Sequence, residues 1–420
     1  MQKKIVIKGN KELTGKIKIS GAKNSVVALI PAAILSDEDV TLYNVPDISD
    51  MKSLMEIIEL LNGKAEYQNE TLKIDCRNIE NVVIPEDLSK KLRASYYFMG
   101  ALLSKYKHAE IYFPGGCNIG SRPIDFHIKG FEKLGAKVTI EGNKYTIDAE
   151  KLQGARIYLD FASVGATINI MLAAVKAEGT TYISNAAKEP EIVNVATFLN
   201  NMGAKITGAG TSEIKIEGVE SLGRGVVDVI PDRIEAGTYI IIGSLLGKDL
   251  SVEGIIEEHI EALLSKLKEM GVSIKVRRNK LLLNRPEKFN AINVKTLVFP
   301  GFPTDLGQPM SALLTQAEGM SIFEETIYEN RMGHIKYLQK MGANIIVNDR
   351  TAIITGPTKL KGQEVVATDL RAGATMVIAG LMAKGTTTIS EIDHILRGYE
   401  NIVEKLSNVG ADIKVIEVEE

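Results

Sequence analysis

The sequence predicts a mixed α/β protein of two domains, each built from three copies of one structural repeat. The first observation is a glycine that recurs at positions 63, 135, 203, 271, 342 and 410, at intervals of 68 to 72 residues. Each of these glycines follows an apolar stripe at helical spacing and precedes a β-branched run. The second observation is the length of 420 residues, which suits two domains of roughly 200 residues each.

Each repeat contains two kinds of helix. One kind is apolar nearly all round, as in "AGATMVIAGLMA" at 372–383, and a helix without a polar face must be covered on every side. We therefore expect each repeat to run strand, buried helix, strand, amphipathic helix and two strands. The amphipathic kind ends at the recurring glycine, its predicted C-cap, and carries a stripe such as Ile260, Leu263, Leu264, Leu267 and Met270.

The ends of the chain indicate how the repeats divide into domains. The sixth repeat ends at "IKVIEVEE" and lacks the last two strands of the others, whereas "KIVIKGNKELTGKIKIS" near the start has the pattern of that missing pair. We therefore expect one domain of residues 22–229, with repeats one to three. The second domain comprises residues 1–21 and 230–420, with repeats four to six. The chain then passes between the domains twice, near residues 21 and 229, which suits a hinge.

Composition excludes several classes of protein. The formal net charge is −3, so no basic excess is present to neutralise nucleic-acid phosphates. No apolar run reaches 18 residues, and the first residues do not resemble a signal peptide. The chain has two cysteines, Cys76 and Cys117, and no metal-ligand spacing. We expect a cytoplasmic protein without structural zinc, membrane span or nucleic-acid partner.

Charged and polar residues gather just before the predicted helices. Helix N-termini present free N–H groups and a positive dipole end, so these junctions suit anions, and three-fold domains that face each other would bring them into one cleft. Clustered guanidinium groups suit a substrate with both carboxylate and phosphate groups. The residues are Lys23, Asn24, Arg93, Cys117, Arg122, Ser163, Glu189, Glu191, Arg233, Asp305, Arg331, Asp369, Arg371 and Arg397.

Two of these residues have competing interpretations. A free cysteine is more often a small buried hydrophobe, but the glycines and Arg122 around Cys117 favour an exposed thiol with a low pKa. Asp305 follows a Gly-Pro-rich turn, where a carboxylate serves as an N-cap or as a general base, and both remain open. "GGCNIG" matches neither a Walker A nor a Rossmann fingerprint, so it indicates no nucleotide site.

Nine motifs spread along the whole chain resemble those of the UDP-N-acetylglucosamine 1-carboxyvinyltransferases. The resemblance implies an inside-out α/β barrel with two domains, each of three βαβαββ repeats, in agreement with the repeat count. The motif around Cys117 and "TDLRAGA" are the most specific. The motifs are "GAKNS" (21–25), "PGGCNIGSRPIDFH" (114–127), "SVGAT" (163–167), "NAAKEPEI" (185–192), "PDRIEAGT" (231–238), "FPTDLGQP" (302–309), "YENR" (328–331), "TDLRAGA" (368–374) and "RGYE" (397–400).

The resemblance also implies an activity and roles for residues. Such an enzyme transfers the enolpyruvyl group of phosphoenolpyruvate to the 3'-hydroxyl of UDP-N-acetylglucosamine by addition and elimination, without a cofactor or metal, in the first committed step of peptidoglycan synthesis. Cys117 corresponds to the general acid that fosfomycin alkylates, and Asp305 to a base. Lys23, Arg122 and Arg397 correspond to phosphoenolpyruvate contacts. Asn24 corresponds to a residue at the sugar and phosphoenolpyruvate site. The UDP-N-acetylglucosamine positions are Arg93, Arg122, Pro123, Ile124, Asp125, Phe126, Ser163, Val164, Asp305 and Ile327, and the other matched charges are Arg331, Asp369 and Arg371.

The sequence departs from the family pattern at one position, and two alternative functions remain to be weighed. Phe161 stands where many relatives have a lysine, which puts one contact to the nucleotide phosphates in doubt. The sister enzyme 3-phosphoshikimate 1-carboxyvinyltransferase has the same fold, but the Cys117 motif favours the UDP-sugar. A non-catalytic paralogue is the other alternative, and it is disfavoured by the presence of Lys23, Cys117, Arg122, Asp305 and Arg397.

Overall fold

A computed structural model describes residues 2–113 and 124–418 of the chain. Contacts divide these residues into two compact units, which we call unit A (2–20 and 231–418) and unit B (21–113 and 124–230). The chain passes between them after Ser20 and after Ile230. Cys117, Arg122 and Pro123 lie outside the described residues.

Fourteen α-helices occur in the described ranges, and none of them is long and apolar enough to cross a bilayer. Two short 3-10 helices, Arg93–Tyr96 and Thr304–Leu306, precede α4 and α10. The helices are α1 (Lys23–Ala33), α2 (Ser49–Leu60), α3 (Glu86–Lys91), α4 (Tyr97–Tyr106), α5 (Asp125–Lys133), α6 (Val164–Ala174), α7 (Pro190–Asn201), α8 (Arg233–Leu246), α9 (Glu257–Glu269), α10 (Gly307–Leu314), α11 (Ile335–Lys340), α12 (Leu370–Met382), α13 (Asp393–Leu396) and α14 (Ile402–Asn408).

The described ranges also contain 24 β-strands, which are short and follow the repeat closely. In chain order they are β1 (Gln2–Lys8), β2 (Leu13–Lys18), β3 (Asp39–Tyr43), β4 (Lys64–Gln68), β5 (Thr71–Asp75), β6 (His108–Tyr112), β7 (Lys137–Glu141), β8 (Lys144–Asp148), β9 (Arg156–Tyr158), β10 (Thr180–Ser184), β11 (Lys205–Thr207), β12 (Glu213–Glu217), β13 (Gly225–Asp228), β14 (Gly247–Glu253), β15 (Lys275–Arg277), β16 (Lys280–Leu283), β17 (Phe289–Asn290), β18 (Asn293–Lys295), β19 (Ala317–Glu324), β20 (Asn344–Asn348), β21 (Thr351–Gly356), β22 (Glu364–Val366), β23 (Thr386–Ser390) and β24 (Asp412–Val418).

The helices that are apolar all round lie inside their units. In unit B, α4 packs against α1 and α6, and in unit A, α10 packs against α8 and α12. Almost every residue of these six helices is buried. The prediction of buried helices is confirmed, because apolar side chains on all sides leave no face for solvent.

Three sheets per unit, within the described ranges, cover these helices. Unit A has the strand orders β22-β23-β1-β24, β15-β16-β14-β2 and β17-β19-β21-β20, with β18 beside β19. Unit B has β11-β12-β10-β9, β13-β3-β5-β4 and β6-β8-β7. Burial alternates along many strands, as in β3, where Val40 and Leu42 are buried, so each sheet turns one face to the core.

The sheets combine strands from distant parts of the chain. β1 pairs antiparallel with β23 and β24, and β2 pairs parallel with β14. Both N-terminal strands therefore belong to the sheets of unit A. In the same way β13, which follows the third repeat, pairs parallel with β3 of the first repeat. This pairing joins the last and first repeats of unit B in one sheet.

The predicted C-cap glycine is wrong by one residue in the first repeat. Five of the six recurring glycines have positive φ, between 93° and 110°. In the first repeat the left-handed residue is instead Asn62, with φ 63°, because asparagine also tolerates this conformation. Gly63 instead allows close packing, since a Cβ there would lie 2.7 Å from Cδ1 of Ile79 and 2.8 Å from Cγ2 of Ile58.

A partly buried charged cluster in unit A binds the chain where it passes between the units. We call Ser20, Glu235, Glu400 and Lys405 the Ser20 cluster. The backbone N–H of Ser20 donates to Oε2 of Glu235 at 2.7 Å, and its hydroxyl donates to the Glu400 carboxylate. Nζ of Lys405 donates to Oε1 of Glu235 at 2.7 Å and to Oγ of Ser20 at 2.6 Å. Burial raises the pKa of Glu235 to about 7, although the charge of Lys405 opposes that shift.

Alanine substitution at two glycines should separate backbone strain from steric overlap. Gly203 has φ 110° and no described heavy atom within 4 Å of a built Cβ, so Gly203→Ala should lower the free energy of unfolding by about 1 kcal/mol. At Gly362 a Cβ would lie 2.2 Å from the carbonyl oxygen of Thr386. Gly362→Ala should therefore lower it by about 3 kcal/mol. Urea denaturation measures both losses, and equal losses would contradict this account.

Stability should depend on pH through Glu235. Its folded pKa of about 7 exceeds the ordinary value of 4.5, so its contribution to stability is complete below pH 4.5 and is lost as the pH rises through 7. Glu235→Gln does not titrate. The unfolding free energy of the variant, minus that of the wild type, should therefore increase by about 2–3 kcal/mol from pH 5 to pH 8. Urea denaturation at both pH values tests this, and a constant difference would contradict it.

Candidate active site

Asp305 forms an ion triad with Arg331 and Arg371 in unit A. Asp305 lies in the 3-10 helix that leads into α10, which begins after Pro303. Its Oδ1 accepts a hydrogen bond from Nη2 of Arg331 at 2.7 Å, and its Oδ2 accepts one from Nη2 of Arg371 at 3.1 Å. The arginine side chains are each 4% exposed, whereas that of Asp305 is 26% exposed. The carboxylate is therefore the part of the triad that solvent or a ligand can reach.

The two guanidinium groups determine the charge of Asp305. Burial alone would raise the pKa of this carboxyl, but the charges of Arg371 and Arg331, with the hydrogen bond from Arg331, hold it well below its usual range. The N-cap interpretation of Asp305 is wrong, because Pro303 is the N-cap residue of the 3-10 helix and no side chain caps it. Asp305 is an ionised acceptor paired with cations.

Two neighbours of the triad were missed by the sequence analysis. Nη1 of Arg331 donates to Oγ1 of Thr304 at 2.7 Å, and that hydroxyl donates to Oε2 of the buried Glu325 at 2.7 Å. Oε1 of Glu325 accepts the backbone N–H of Ile327 at 2.8 Å, and so holds a predicted nucleotide-site residue. A carboxylate directly after a strand and a threonine beside Asp305 are weak sequence signals, since neither has a diagnostic spacing.

Asp369 and Gln308 complete the buried surroundings of the arginines. Asp369 caps α12, and its Oδ1 accepts the backbone N–H groups of Arg371 at 2.8 Å and Ala372 at 2.9 Å. Nε2 of Gln308 donates to the carbonyl oxygen of Arg331 at 3.2 Å and to Oδ2 of Asp369 at 3.4 Å. Asp369 thus positions the start of α12, where Arg371 is the second residue.

Arg397 belongs to the same unit. It is the C-cap residue of the short helix α13, and the five residues 397–401 lead into α14, which begins at Ile402. Its predicted role as a phosphate contact rests on the resemblance.

Lys23 and Asn24 lie in the first turn of α1 in unit B. Nζ of Lys23 forms an ion pair with Oδ2 of Asp50 at 3.0 Å, and the two side chains are 15% and 4% exposed. Asp50 lies in the first turn of α2 and was not recognised in the sequence. This pair holds the predicted phosphate-binding ammonium group at the start of a buried helix.

A buried polar network in unit B joins three elements that carry predicted nucleotide-site residues. Nδ2 of Asn169, on α6, donates to the carbonyl oxygen of Tyr96 at 2.9 Å and to Nδ1 of His127 on α5 at 3.0 Å. Burial lowers the pKa of His127 to about 3, with a smaller effect from Arg93, so the ring is neutral. The guanidinium carbon of Arg93 lies 5.8 Å from the ring centroid of Tyr96. This network was missed by the sequence analysis, although an asparagine inside an otherwise apolar helix is a signal that could have indicated it.

The remaining predicted nucleotide-site residues lie where α5 and α6 begin. Ile124 is the buried N-cap residue of α5, and Asp125 and Phe126 start that helix. Ser163 caps α6, with its Oγ accepting the backbone N–H of Ala166 at 3.2 Å, and Val164 is the first residue of the helix. Both helix starts present backbone N–H groups, as anion sites do.

Phe161 and the two cysteines are the last of the residues that the sequence singled out. Phe161, two residues before the α6 cap, is 44% exposed. Its ring is uncharged and therefore provides no cation for a phosphate. Cys76 is buried, and burial raises the pKa of its thiol to about 12, so it is a structural residue. Cys117, Arg122 and Pro123 lie outside the described residues. Within the part of the chain that is described, no group of three His, Cys, Asp or Glu side chains is arranged to hold a metal ion.

Known proteins of one family match this chain along nearly its whole length. A family model described as EPSP synthase (3-phosphoshikimate 1-carboxyvinyltransferase) matches residues 7–406. UDP-N-acetylglucosamine 1-carboxyvinyltransferase 2 of Listeria innocua is 52% identical over 413 residues, which cover 98% of each chain. The protein of the same name from Geobacillus kaustophilus is 54% identical over 410 residues, 98% of this chain and 96% of that relative.

Solved structures share the fold. The enolpyruvyl transferase NikO from Streptomyces tendae aligns with a TM-score of 0.90 at 28% identity over 99% of each chain. EPSP synthase from Acinetobacter baumannii aligns with a TM-score of 0.77 at 18% identity, over 99% of this chain and 100% of that one, a likeness of fold alone. The predicted fold class is confirmed. The chain belongs to the enolpyruvyl transferase family, among the UDP-N-acetylglucosamine 1-carboxyvinyltransferases.

Proposed function

We propose that this chain transfers the enolpyruvyl group of phosphoenolpyruvate to the 3'-hydroxyl of UDP-N-acetylglucosamine and releases phosphate. The observation that carries the proposal is the 52–54% identity, over 98% of this chain, to proteins named for that reaction. The activity would belong to peptidoglycan synthesis in the cytoplasm, where both small-molecule substrates are present. The reaction needs no cofactor, because phosphoenolpyruvate is already activated.

The chemistry of the ion triad supports an anionic substrate. Arg331 and Arg371 are buried guanidinium groups, which suit bidentate binding of carboxylate or phosphate. Nε of Arg331 and Oε1 of Gln308 are buried and have no hydrogen-bond partner among the described residues. Buried polar atoms without partners are costly, so they favour a polar ligand that completes their hydrogen bonds.

The proposed reaction has an addition and an elimination. The thiol of Cys117 gives a proton to the methylene carbon of phosphoenolpyruvate, and the 3'-oxygen adds to C2 as positive charge develops there. The hydroxyl proton passes to Asp305. The bond between C2 and the phosphate oxygen then breaks, and the methyl group returns one proton to the Cys117 thiolate, which restores the double bond. The proton held by Asp305 leaves with the phosphate. Lys23, Arg122 and Arg397 hold the phosphate that leaves.

The charge of Asp305 fits this sequence in two stages. While Arg331 and Arg371 bind it, the carboxylate is a weak base, because both oxygens accept charge-assisted hydrogen bonds. An anionic substrate on the same arginines would compete for their positive charge and raise the pKa of Asp305. The carboxylate would become a better base when the substrate is present, and its negative charge would stabilise the cationic centre at C2.

The runner-up function is 3-phosphoshikimate 1-carboxyvinyltransferase, the reaction named by the matching family model. The solved EPSP synthase is only 18% identical to this chain, whereas the UDP-N-acetylglucosamine enzymes exceed 50%. The identities therefore favour the nucleotide sugar as the acceptor. A non-catalytic paralogue is disfavoured because the charged residues of the triad are all present.

Phosphate release should depend on the acceptor. With phosphoenolpyruvate present, UDP-N-acetylglucosamine should support steady phosphate release, and shikimate 3-phosphate should support less than about 1% of that rate, because only one acceptor presents the matching sugar and diphosphate groups. A coupled phosphate assay measures both rates. Release with shikimate 3-phosphate alone would overturn the proposal in favour of the runner-up.

A cysteine variant is the control for this assay. Cys117→Ala removes the proposed acid but no charge of the triad, so it should bind UDP-N-acetylglucosamine normally and release phosphate at least about 100-fold more slowly. Isothermal titration calorimetry measures the binding. Full phosphate release by Cys117→Ala would exclude the acid role while leaving the acceptor result intact.

A further inference from the structure

A chain of hydrogen bonds leads from a buried carboxylate to the ion triad. It runs from Glu325 through the Thr304 hydroxyl to Nη1 of Arg331, and from Nη2 of Arg331 to Asp305. Its three hydrogen bonds are each 2.7 Å long. All four residues belong to unit A, and Glu325 is 2% exposed. We infer that Glu325 and Thr304 are positioning residues that aim the Arg331 guanidinium at Asp305, an inference that rests on the proposed function.

Glu325 serves as an acceptor on both of its oxygens. Oε1 accepts the hydroxyl of Thr296 at 2.9 Å and the backbone N–H groups of Ile327 at 2.8 Å and Tyr328 at 3.2 Å. Oε2 accepts the hydroxyl of Thr304 at 2.7 Å. Four described donors therefore converge on one buried carboxylate, which fixes its place after β19.

This arrangement determines the direction of the Thr304 hydroxyl. A hydroxyl has one proton to donate, and that of Thr304 is donated to Glu325. Its oxygen is then left to accept, and Nη1 of Arg331 is the donor that it meets. If the Thr304 hydroxyl could rotate freely, its lone pairs would face Arg331 only part of the time. By accepting the hydroxyl proton, the Glu325 carboxylate keeps those lone pairs directed at Arg331.

The planar guanidinium carries this constraint to Asp305. Its N–H groups form a rigid fork, so fixing Nη1 on Thr304 also fixes the direction of Nη2. The backbone of Arg331 is held separately, because its carbonyl oxygen accepts from Gln308. The side chain is 4% exposed, so water is a poor substitute for the Thr304 hydroxyl. Without that hydroxyl the guanidinium can turn, and Asp305 would lose one of its two cationic partners.

The two residues should affect the two substrates differently. Thr304 contacts Arg331, a buried guanidinium that suits the carboxylate or phosphate of phosphoenolpyruvate. Glu325 also holds the backbone of Ile327, a predicted UDP-N-acetylglucosamine position. Loss of the Thr304 hydroxyl should therefore raise the KM for phosphoenolpyruvate and leave the KM for UDP-N-acetylglucosamine unchanged. Glu325→Gln should raise both, because an amide places a donor where an acceptor is required.

Three variants test the inference in the full-length enzyme. Thr304→Val keeps the shape and removes the hydroxyl, and it should lower kcat/KM for phosphoenolpyruvate by roughly 10- to 100-fold. Thr304→Ser keeps the hydroxyl and should restore most of that loss. Thr387→Val is the matched control, because Thr387 is buried in the same unit and its hydroxyl has no partner among the described residues. It should leave the rates unchanged.

Each result decides the inference. Wild-type rates in Thr304→Val, an equal loss in Thr304→Ser, or an equal rise in both KM values for Thr304→Val would overturn it. A crystal structure of Thr304→Val provides a readout that does not need activity. Separation of Nη2 of Arg331 from Oδ1 of Asp305 beyond hydrogen-bond distance would support the inference, and an unchanged contact would overturn it. Absence of activity in the wild type would count against the proposed function alone.

Discussion

Three helices without a polar face determine the architecture of each unit. Such a helix is stable in water only when other elements cover it on all sides, and the short sheets of each unit provide that cover. Because an unpaired charge is costly in the interior, many charged and polar residues of the repeats are found where helices begin. Lys23, Ser163 and Arg371 are examples, each within two residues of the start of a buried helix. The positions of these site residues thus follow from the packing of the buried helices.

The ion triad depends on this scaffold. Taking charges out of water is costly, and attraction between them compensates only if hydrogen bonds complete the geometry. Asp305 meets this condition with two guanidinium groups, one from the segment before α11 and one from α12. Arg331 is in turn held by Thr304 and through it by Glu325. The result is a carboxylate that stays charged and cations that retain capacity for an anionic ligand.

The sequence revealed the repeats more readily than the details of the site. A glycine after each amphipathic helix was sufficient to count six repeats, yet Asn62 takes the left-handed conformation in the first one, because two residue types satisfy the same backbone requirement. Buried helices were predictable because composition alone demands burial. Asp305 was ambiguous because a carboxylate after a turn suits either a cap or a catalytic role. Its partners are 26 and 66 residues away, and no local pattern links them.

Glu325, Thr304 and Asn169 illustrate a second limit. Each is a polar residue whose importance comes from the groups around it in the folded unit, and no spacing in the sequence indicates these contacts. The residues that resemblance identified are those expected to touch substrates. The residues that hold them in place emerged only from the hydrogen bonds.

The central claim is that Arg331 and Arg371 keep Asp305 ionised, and carbon-13 NMR of the aspartate Cγ tests it most directly. The Asp305 resonance is assigned by its absence from Asp305→Asn, and it is followed from pH 8 to pH 4. An ordinary aspartate, with a pKa of about 3.9, would be nearly half protonated at the lower limit. We expect the resonance to stay at the carboxylate position throughout. A titration with a midpoint near 4 or above would contradict it.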